Sequence, residues 1–216
     1  NDTFNEKNDS AKHLDGLNDA QKDAVLHKEG PLLIVAGAGA GKTKAITHRI
    51  LHLIKNGVAP HNILAITFTN KAAKEMQDRV AKLLREDKAL NMPLSFNERP
   101  FMSTFHALGA YILRENSEHI GLTKHFAILD DGDTTSIMKE ALGTLSLDPK
   151  QWEPRRMKNA ISRQKGDVIT METYAAGAGN EYFPRVLSSV WRAYEKILAE
   201  HGGMDFDDLL LKTVLL

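Results

Sequence analysis

The side chains best placed to do chemistry are a lysine and a threonine that close a glycine-rich stretch. An apolar run over 31–35 leads into Ala36-Gly-Ala-Gly-Ala-Gly-Lys-Thr43, and residues 44–54 have the periodicity of a helix. A strand, a glycine-rich turn and a helix in this order are the context that a phosphate-binding loop requires. The stretch therefore predicts a site for the phosphates of a nucleotide.

The residue types in this loop suggest separate roles. Gly37, Gly39 and Gly41 lack side chains, so the backbone can turn there and aim successive N–H groups at phosphate oxygens. We expect Lys42 to reach the β and γ phosphates and the Thr43 hydroxyl to ligate Mg²⁺, which makes these two the predicted catalytic residues. The predicted nucleotide contacts comprise the whole loop and its first helical residues: Ala36, Gly37, Ala38, Gly39, Ala40, Gly41, Lys42, Thr43 and Lys44.

The loop departs from the strict phosphate-loop pattern at Ala36, where that pattern has glycine. The relaxed pattern accepts alanine there, and the Gly-Lys-Thr end is intact. The alternative is a glycine-rich turn that contains a lysine by chance. The buried type of strand before the loop and the amphipathic helix after it argue against that alternative.

The composition limits the function classes. Lys plus Arg total 28 and Asp plus Glu total 28, so the formal net charge is zero, and any surface for nucleic acid must be local. The chain has no cysteine, which excludes disulfides and thiolate metal sites. It shows neither an apolar run of membrane-spanning length nor a signal-peptide core. We expect a cytoplasmic protein without a membrane partner.

The pattern of elements divides the chain into four parts. Residues 1–13 are predicted to be a flexible polar lead, and residues 14–106 alternate between helix and strand. Such alternation predicts an α/β fold with a mostly parallel sheet and ligands at the carboxyl ends of its strands. The predicted helices here cover 17–26, capped by Asn18 or Asp19, and 70–84, and the later predicted strands cover 62–68 and 101–105.

The second half of the chain has the sequence periodicity of helices. Residues 107–202 carry helical periodicity interrupted by Gly, Pro and Asp, and residues 203–216 form the last part. The predicted helices are 108–118, 132–145, 155–164, 170–176 and 182–201.

Several motifs in register resemble UvrD/PcrA/Rep-type superfamily-one DNA helicases. Besides the phosphate loop they are Leu17-Asn-Asp-Ala-Gln-Lys-Asp-Ala-Val25, Ile66-Thr-Phe-Thr-Asn-Lys-Ala-Ala-Lys-Glu-Met76, Ser103-Thr-Phe-His106 and Met204-Asp-Phe-Asp-Asp-Leu-Leu210. Stretches 126–133 and 160–162 are similar to parts of the helical domain of that family. The resemblance spans almost the whole chain. It implies an incomplete RecA-like P-loop NTPase domain, a parallel sheet with flanking helices, with residues 107–202 as an inserted all-helical subdomain and 203–216 as the return.

The resemblance also implies roles for individual residues. Gln21 matches a glutamine that reads adenine, and a carboxamide can pair bidentately with that base. The segment implied to meet single-stranded DNA comprises Thr67, Phe68, Thr69, Asn70 and Lys71, where an exposed aromatic ring can stack on a base. Thr104 and His106 match contacts to the DNA backbone. The carboxylates of 205–208 are expected to cap the helix that follows them rather than to bind metal.

One element needed for hydrolysis is not recognised in the sequence. Phosphate-loop enzymes use an apolar strand that ends in acidic residues to hold Mg²⁺ and activate water. Only Asp130 and Asp131 follow such a run, and the resemblance assigns them to a helix start. We therefore expect a fragment that works with remaining helicase domains. The intact enzyme would use ATP and Mg²⁺ for 3′–5′ translocation and for unwinding at single-strand/duplex junctions, alongside repair or replication proteins.

Two alternatives stay open at this point. One is a self-contained phosphate-loop enzyme of another class, such as a small kinase, with Asp130 or Asp131 as its metal carboxylate. The other is a non-catalytic nucleotide- or DNA-binding module with a basic helical face made of Arg155, Arg156, Lys158, Arg163 and Lys165. A solvated helix surface explains the same basic residues.

Overall fold

The structure is a computed structural model that describes residues 12–87, 90, 99–121 and 123–216. Most of the predicted polar lead, residues 1–11, lies outside the described residues, and Lys12–Leu14 form a short 3₁₀ helix. The chain divides into two compact units, one ending at Thr104 and the other covering Phe105–Leu216. Each unit is described by itself.

The first unit is a mixed α/β arrangement. Its helices are α1 (Asp19–Leu26), α2 (Lys42–Lys55) and α3 (Asn70–Glu86), with a 3₁₀ turn at Pro60–Asn62. Strands β1 (Leu64–Thr67) and β2 (Phe101–Thr104) pair in parallel, with Leu64 opposite Phe101 and Thr67 opposite Thr104. A parallel pair needs a crossover, which α3 supplies. The core between helices and sheet contains Ile50, Ile63, Met76, Val80 and Met102.

The predicted strand at 31–35 is wrong in this structure. Residues 31–37 have no strand hydrogen bonds to any other described segment, and Leu33 and Val35 are 85% and 86% exposed. Extended backbone becomes a strand only when a neighbour satisfies its N–H and C=O groups. β1 pairs with β2 only, and no described strand pairs with the apolar run that precedes the loop.

The second unit is mostly helical, as the sequence predicts. Its helices are α4 (Phe105–Glu115), α5 (Asp131–Thr144), α6 (Pro154–Gly166), α7 (Met171–Gly177), α8 (Tyr182–Glu200) and α9 (Phe206–Leu215), with a 3₁₀ turn at Ser117–Ile120. Apolar residues of α8 recur three and four positions apart, so one stripe faces the core. The stripe comprises Leu187, Val190, Trp191, Tyr194, Ile197 and Leu198, all buried. It packs on Met138 and Leu142 of α5.

A two-stranded parallel sheet also lies in this unit, which the sequence did not predict. Strand β3 (Ala127–Ile128) pairs with β4 (Gly203–Met204). Each strand is only two residues long, too short for a periodicity signal. The pair holds the start of α5 beside the start of α9, because α5 begins three residues after β3 and α9 begins two residues after β4.

Three helices begin with a reciprocal capping box. The cap residues Asn18, Asp130 and Asp205 each accept a hydrogen bond from the N3 backbone N–H, and the N3 side chain accepts one from the cap N–H. The expected cap at Asn18 and the expected capping role of the 205–208 carboxylates are therefore confirmed. None of the helices in the described part of the chain is both long and apolar enough to cross a bilayer.

Helices α4 and α9 approach closely at a glycine, which gives a testable consequence. A Cβ at Gly109 would lie 2.7 Å from the carbonyl oxygen of Leu209 and 3.1 Å from Oγ1 of Thr213. We expect Gly109→Ala to destabilise the protein by about 1–3 kcal/mol, because backbone must move to relieve the overlap. Chemical denaturation measures the change.

Gly143 of α5 provides the matched control. A Cβ there meets nothing within 4 Å. Gly143→Ala should be neutral or stabilise by up to about 1 kcal/mol, because alanine restricts the unfolded chain. Equal losses in the two variants would contradict the close approach of α4 and α9.

Candidate functional site

The glycine-rich loop contains two residues in the left-handed backbone region. Gly39 has φ +77° and Gly41 has φ +83°. The chain turns over residues 37–40, where the N–H of Ala40 donates to the Gly37 carbonyl over 3.3 Å. Residues with a Cβ rarely adopt this backbone region. The turn therefore requires two of the predicted glycines, while Ala38 lies exposed at its tip.

Lys42 lies across the mouth of this loop. Its Nζ donates to the carbonyl oxygens of Ala36 (2.7 Å) and Gly37 (2.8 Å), and the side chain is otherwise exposed. An ammonium bonded only to neutral carbonyls can exchange them for phosphate oxygens, which form stronger, charge-assisted hydrogen bonds. The position of Lys42 fits a phosphate in the loop.

The start of α2 adds to this fit. Its cap residue, Gly41, makes no side-chain capping hydrogen bond, and Thr43 in the first turn is exposed. The first N–H groups of a helix lack partners within the helix, and its dipole places positive charge at that end. A phosphate at this end would accept hydrogen bonds from these N–H groups and be attracted by the dipole. The exposed Thr43 hydroxyl could then bind a cation that accompanies the phosphate.

Gln21 reaches the loop from α1. Its Nε2 donates to the Ala40 carbonyl over 3.2 Å, and its Oε1 accepts from the backbone N–H of Asn18 over 3.1 Å. A Cβ on Gly41 would collide with Nε2 of Gln21. The structure thus brings the predicted base-reading carboxamide to the predicted phosphate loop.

Lys44 has a different partner from the one the sequence analysis expected. Its Nζ donates to the carbonyl oxygen of Gly16 over 2.6 Å rather than lying in the loop. In this arrangement it holds the backbone that precedes α1.

A cavity of about 290 Å³ connects the start of α2 with the end of β1. Thr43 and Thr67 both line it, together with Arg49 and apolar residues of α2, β1 and α3. Thr67 directly precedes Phe68, the predicted stacking residue. The predicted Mg²⁺ ligand and the predicted DNA segment therefore face one space.

Most of the predicted DNA segment is exposed. The side chain of Phe68 is 86% exposed, and Asn70 and Lys71 at the start of α3 are also exposed. Thr69 caps α3, its hydroxyl accepting from the N–H of Ala72 over 3.1 Å. An aromatic ring at the end of a strand, beside polar and basic groups, suits base stacking and phosphate contact.

The two residues of the second predicted DNA motif differ in exposure. Thr104 is buried, with 6% of its surface exposed, whereas His106 in α4 is partly exposed. The ring of His106 meets the ring of Phe206 edge-on, with centroids 5.5 Å apart, and Phe206 is half-exposed. Phe206 was not among the predicted site residues, because its contact with His106 joins distant parts of the sequence and no local pattern indicated it.

Asp130 and Asp131 have structural partners. Asp130 caps α5, accepting from the N–H of Asp133 over 2.9 Å. Asp131 binds Lys158 of α6, which lowers the pKa of the Asp131 carboxyl through their hydrogen bond and their opposite charges. Within the described ranges, no group of three or more His, Cys, Asp or Glu side chains is arranged to hold a metal ion. Asp130 and Asp131 therefore lie at a helix start, where the resemblance placed them.

The proposed basic face of α6 is wrong at Lys165. Its ammonium is fully buried and donates to Asp205 Oδ2 (2.9 Å) and Asp208 Oδ1 (2.8 Å). Lys158 is also engaged, donating to Thr134 and Thr135 of α5 in addition to Asp131. Only the arginines of the set, Arg155, Arg156 and Arg163, are exposed.

Comparison with known proteins gives a consistent result. Residues 17–216 match the family model described as the UvrD/REP helicase N-terminal domain. The chain is 45% identical over 200 residues to the ATP-dependent DNA helicase PcrA of Leuconostoc citreum, covering 92% of this chain and 26% of that protein. It is 42% identical over 204 residues to PcrA of Bacillus subtilis (strain 168), covering 94% of this chain and 26% of that protein. The chain thus spans about a quarter of the length of the curated relatives it matches.

Proposed function

Because the chain belongs to the family of UvrD/REP helicase N-terminal domains, we propose that it is the part of an ATP-dependent DNA helicase that binds Mg-ATP and single-stranded DNA. The observation that carries this proposal is the position of Lys42 across the mouth of a loop with glycines at φ +77° and +83°. The names of the similar PcrA proteins support ATP as the nucleotide. On this proposal the first unit is a portion of a RecA-like domain.

Different residues contact different parts of the nucleotide. Gln21 contacts the adenine edge, the loop from Ala36 to Gly41 surrounds the phosphates, and Lys42 binds their outer oxygens. Mg²⁺ supplies charge neutralisation on the phosphates, with Thr43 as its ligand from this chain. Lys42 exchanges two loop carbonyls for phosphate, so binding frees the Ala36 and Gly37 oxygens.

DNA binds at the carboxyl end of β1 on this proposal. Phe68 stacks on a base, and Thr67, Thr69, Asn70 and Lys71 line the strand beside it. Thr104 is a further proposed contact to the DNA backbone in the first unit, and His106, whose ring meets that of Phe206, is one in the second. We propose that nucleotide changes the grip on DNA through the cavity that Thr43 and Thr67 line.

The intact protein then uses the other helicase domains to complete both sites. We propose that it hydrolyses ATP, translocates 3′–5′ along single-stranded DNA and unwinds junctions in repair or replication. Residues 107–202 are proposed to be an inserted helical subdomain, and residues 203–216 the return to the nucleotide domain.

Phe68→Ala tests the DNA part of the proposal in the intact protein. We expect the single-stranded DNA concentration for half-maximal stimulation of ATP turnover to rise about tenfold, since one lost base stack costs about 1–3 kcal/mol. Turnover without DNA should stay the same, because Phe68 lies outside the phosphate loop. Steady-state phosphate release at varied oligonucleotide concentration measures both quantities.

Tyr182→Ala is the matched control. Tyr182 is 69% exposed and lies outside the predicted DNA motifs. The variant should resemble the wild type. If turnover does not respond to DNA, or if the two variants lose stimulation equally, the proposed DNA segment is wrong.

A further inference from the structure

The segment that carries α1 is held by one face of α2. Residues 13–27 are called the α1 segment. Lys44 donates through Nζ to the Gly16 carbonyl over 2.6 Å, and His48, one helical turn later, donates through Nδ1 to the His13 carbonyl over 2.6 Å. Positions four apart lie on the same helix face. The first part of the α1 segment is therefore fixed to the helix that follows the phosphate loop.

The end of α1 is held by the same helix. Nη1 of Arg49 donates to the carbonyl oxygens of Ala24 (2.9 Å), Val25 (3.3 Å) and His27 (2.7 Å). A guanidinium at a helix C-terminus satisfies carbonyls that lack partners within the helix and complements the helix dipole. Because α1 has only eight residues, it is too short to be stable alone. Its position depends on such contacts.

Gln21 lies between these two attachment points. Its side chain is braced by the capping box with Asn18 and by the Ala40 carbonyl of the loop. A rotation or shift of α1 therefore displaces the Gln21 carboxamide relative to the loop. Hydrogen bonds to a base edge tolerate little displacement.

We propose that Arg49 is a positioning residue for base selectivity. It fixes α1 against α2, so that the Gln21 carboxamide faces the base of a nucleotide whose phosphates lie at Lys42. Arg49 acts through Gln21 and makes no contact with the base. This inference rests on the proposed function, and it adds that α2 sets base selection as well as phosphate binding.

The test compares three ligands bound to the 216-residue chain: Mg-ATP, Mg-GTP and inorganic tripolyphosphate with Mg²⁺. We expect Arg49→Ala to lower ATP affinity about five- to tenfold, since it removes the hydrogen bonds that position Gln21. The ATP-to-GTP affinity ratio should fall by the same factor, with tripolyphosphate affinity unchanged within about twofold. Arg49→Lys should recover part of the ratio, because an ammonium can still donate to one or two of the carbonyls. Calorimetric titration measures all three affinities.

A double-variant cycle separates positioning from general damage. Gln21→Ala should remove the ATP preference, and adding Arg49→Ala to it should change the ratio no further. Arg79→Ala is the matched control, because Arg79 lies exposed on α3 and pairs with Glu75 one turn away on the same helix. Thermal unfolding followed by circular dichroism checks that each variant is folded.

Two results would overturn the inference. One is an equal loss of ATP and tripolyphosphate affinity in folded Arg49→Ala. The other is a further loss of the ratio when Arg49→Ala is added to Gln21→Ala. Failure of the proposed function looks different: the wild-type chain would bind none of the three ligands saturably, or Lys42→Ala would bind them as the wild type does.

Discussion

Replacing Lys42 by alanine is expected to lower the affinity of the chain for Mg-ATP by about 10- to 100-fold. The ammonium lies at the mouth of the loop, where it is 2.7 and 2.8 Å from two carbonyl oxygens that phosphate would replace. Alanine removes this charge from the mouth of the loop, and charge-assisted hydrogen bonds to phosphate contribute more than neutral ones. Titration calorimetry with Mg-ATP measures the change.

The control for Lys42 is another lysine of the same unit. Lys74 is exposed on α3 and pairs with Asp78 over 2.9 Å, one turn along the helix. Lys74→Ala should bind Mg-ATP within about twofold of the wild type, because an exposed pair contributes little. If Lys42→Ala keeps the wild-type affinity, the assignment of the phosphate loop is wrong.

The second large effect is expected at Lys165. We expect Lys165→Met to destabilise the second unit by about 3–5 kcal/mol, because two buried carboxylates would lose their cation. The Lys165 side chain has no exposed surface, and the carboxylates of Asp205 and Asp208 are 10% and 4% exposed. Tyr194 also donates to Asp205 over 3.1 Å. Urea denaturation measures the loss.

A neutralised variant tests this cause. When Asp205→Asn and Asp208→Asn are added to Lys165→Met, no charge is left unpaired, and asparagine still caps a helix well. Much of the lost stability should return. Lys196→Ala is the control on α8, where the pair with Glu200 spans 3.8 Å at the surface, and it should cost no more than about 0.5 kcal/mol. A small effect of Lys165→Met would contradict the buried ion pair.

The pKa shifts define the pH range for this measurement. Burial opposes the charge on Lys165, but Asp208 and Asp205 overcome it and raise the pKa of Lys165 to about 12. Its contribution to stability is therefore complete below the unfolded pKa of about 10.4 and disappears as the pH rises through 12. Burial likewise opposes the charge on Asp205, yet Lys165 lowers the pKa of that carboxyl, so its contribution is lost as the pH falls below about 4. Burial raises the pKa of Asp208, and without Lys165 the pKa values of both buried carboxyls rise further, so we expect the loss in Lys165→Met to grow as the pH rises from about 5 to 9.

Local signals explain why the sequence predicted the helices and their caps. Asn18 and Asp205 are each followed, three residues later, by a residue with a side-chain acceptor, and each forms the box that this spacing favours. The predicted helix at 70–84 is observed at Asn70–Glu86, and that at 182–201 at Tyr182–Glu200. Such features depend on neighbours within one or two turns, and the chain supplies them directly.

Tertiary features needed the structure. Lys165 is one of several basic residues on α6, and its burial depends on carboxylates some 40 positions later in the chain. The capping role of Arg49 requires α1 and α2 to lie side by side, which no local pattern reveals. The apolar run over 31–35 has the composition of a buried strand, but composition does not say which segment pairs with it.

The candidate site likewise has local features that the sequence predicts and tertiary contacts that it does not. The loop glycines, Lys42 and Thr43 are recognisable from type and spacing, because each meets a local geometric need. The contact between Gln21 and Ala40 spans 19 positions, and the sequence indicated it only through the resemblance. The contact between His106 and Phe206 joins positions 100 apart, and nothing in the sequence near either residue indicated it.

Amide hydrogen exchange of the chain with and without Mg-ATP is the most direct test of the central claim, that nucleotide binds at the loop. We predict slowed exchange concentrated in residues 36–43, a smaller effect in α1, and a much weaker effect in Lys42→Ala at a Mg-ATP concentration that just saturates the wild type. Slowed exchange centred on residues 129–133, or unchanged exchange at 36–43 under saturating Mg-ATP, would contradict the account.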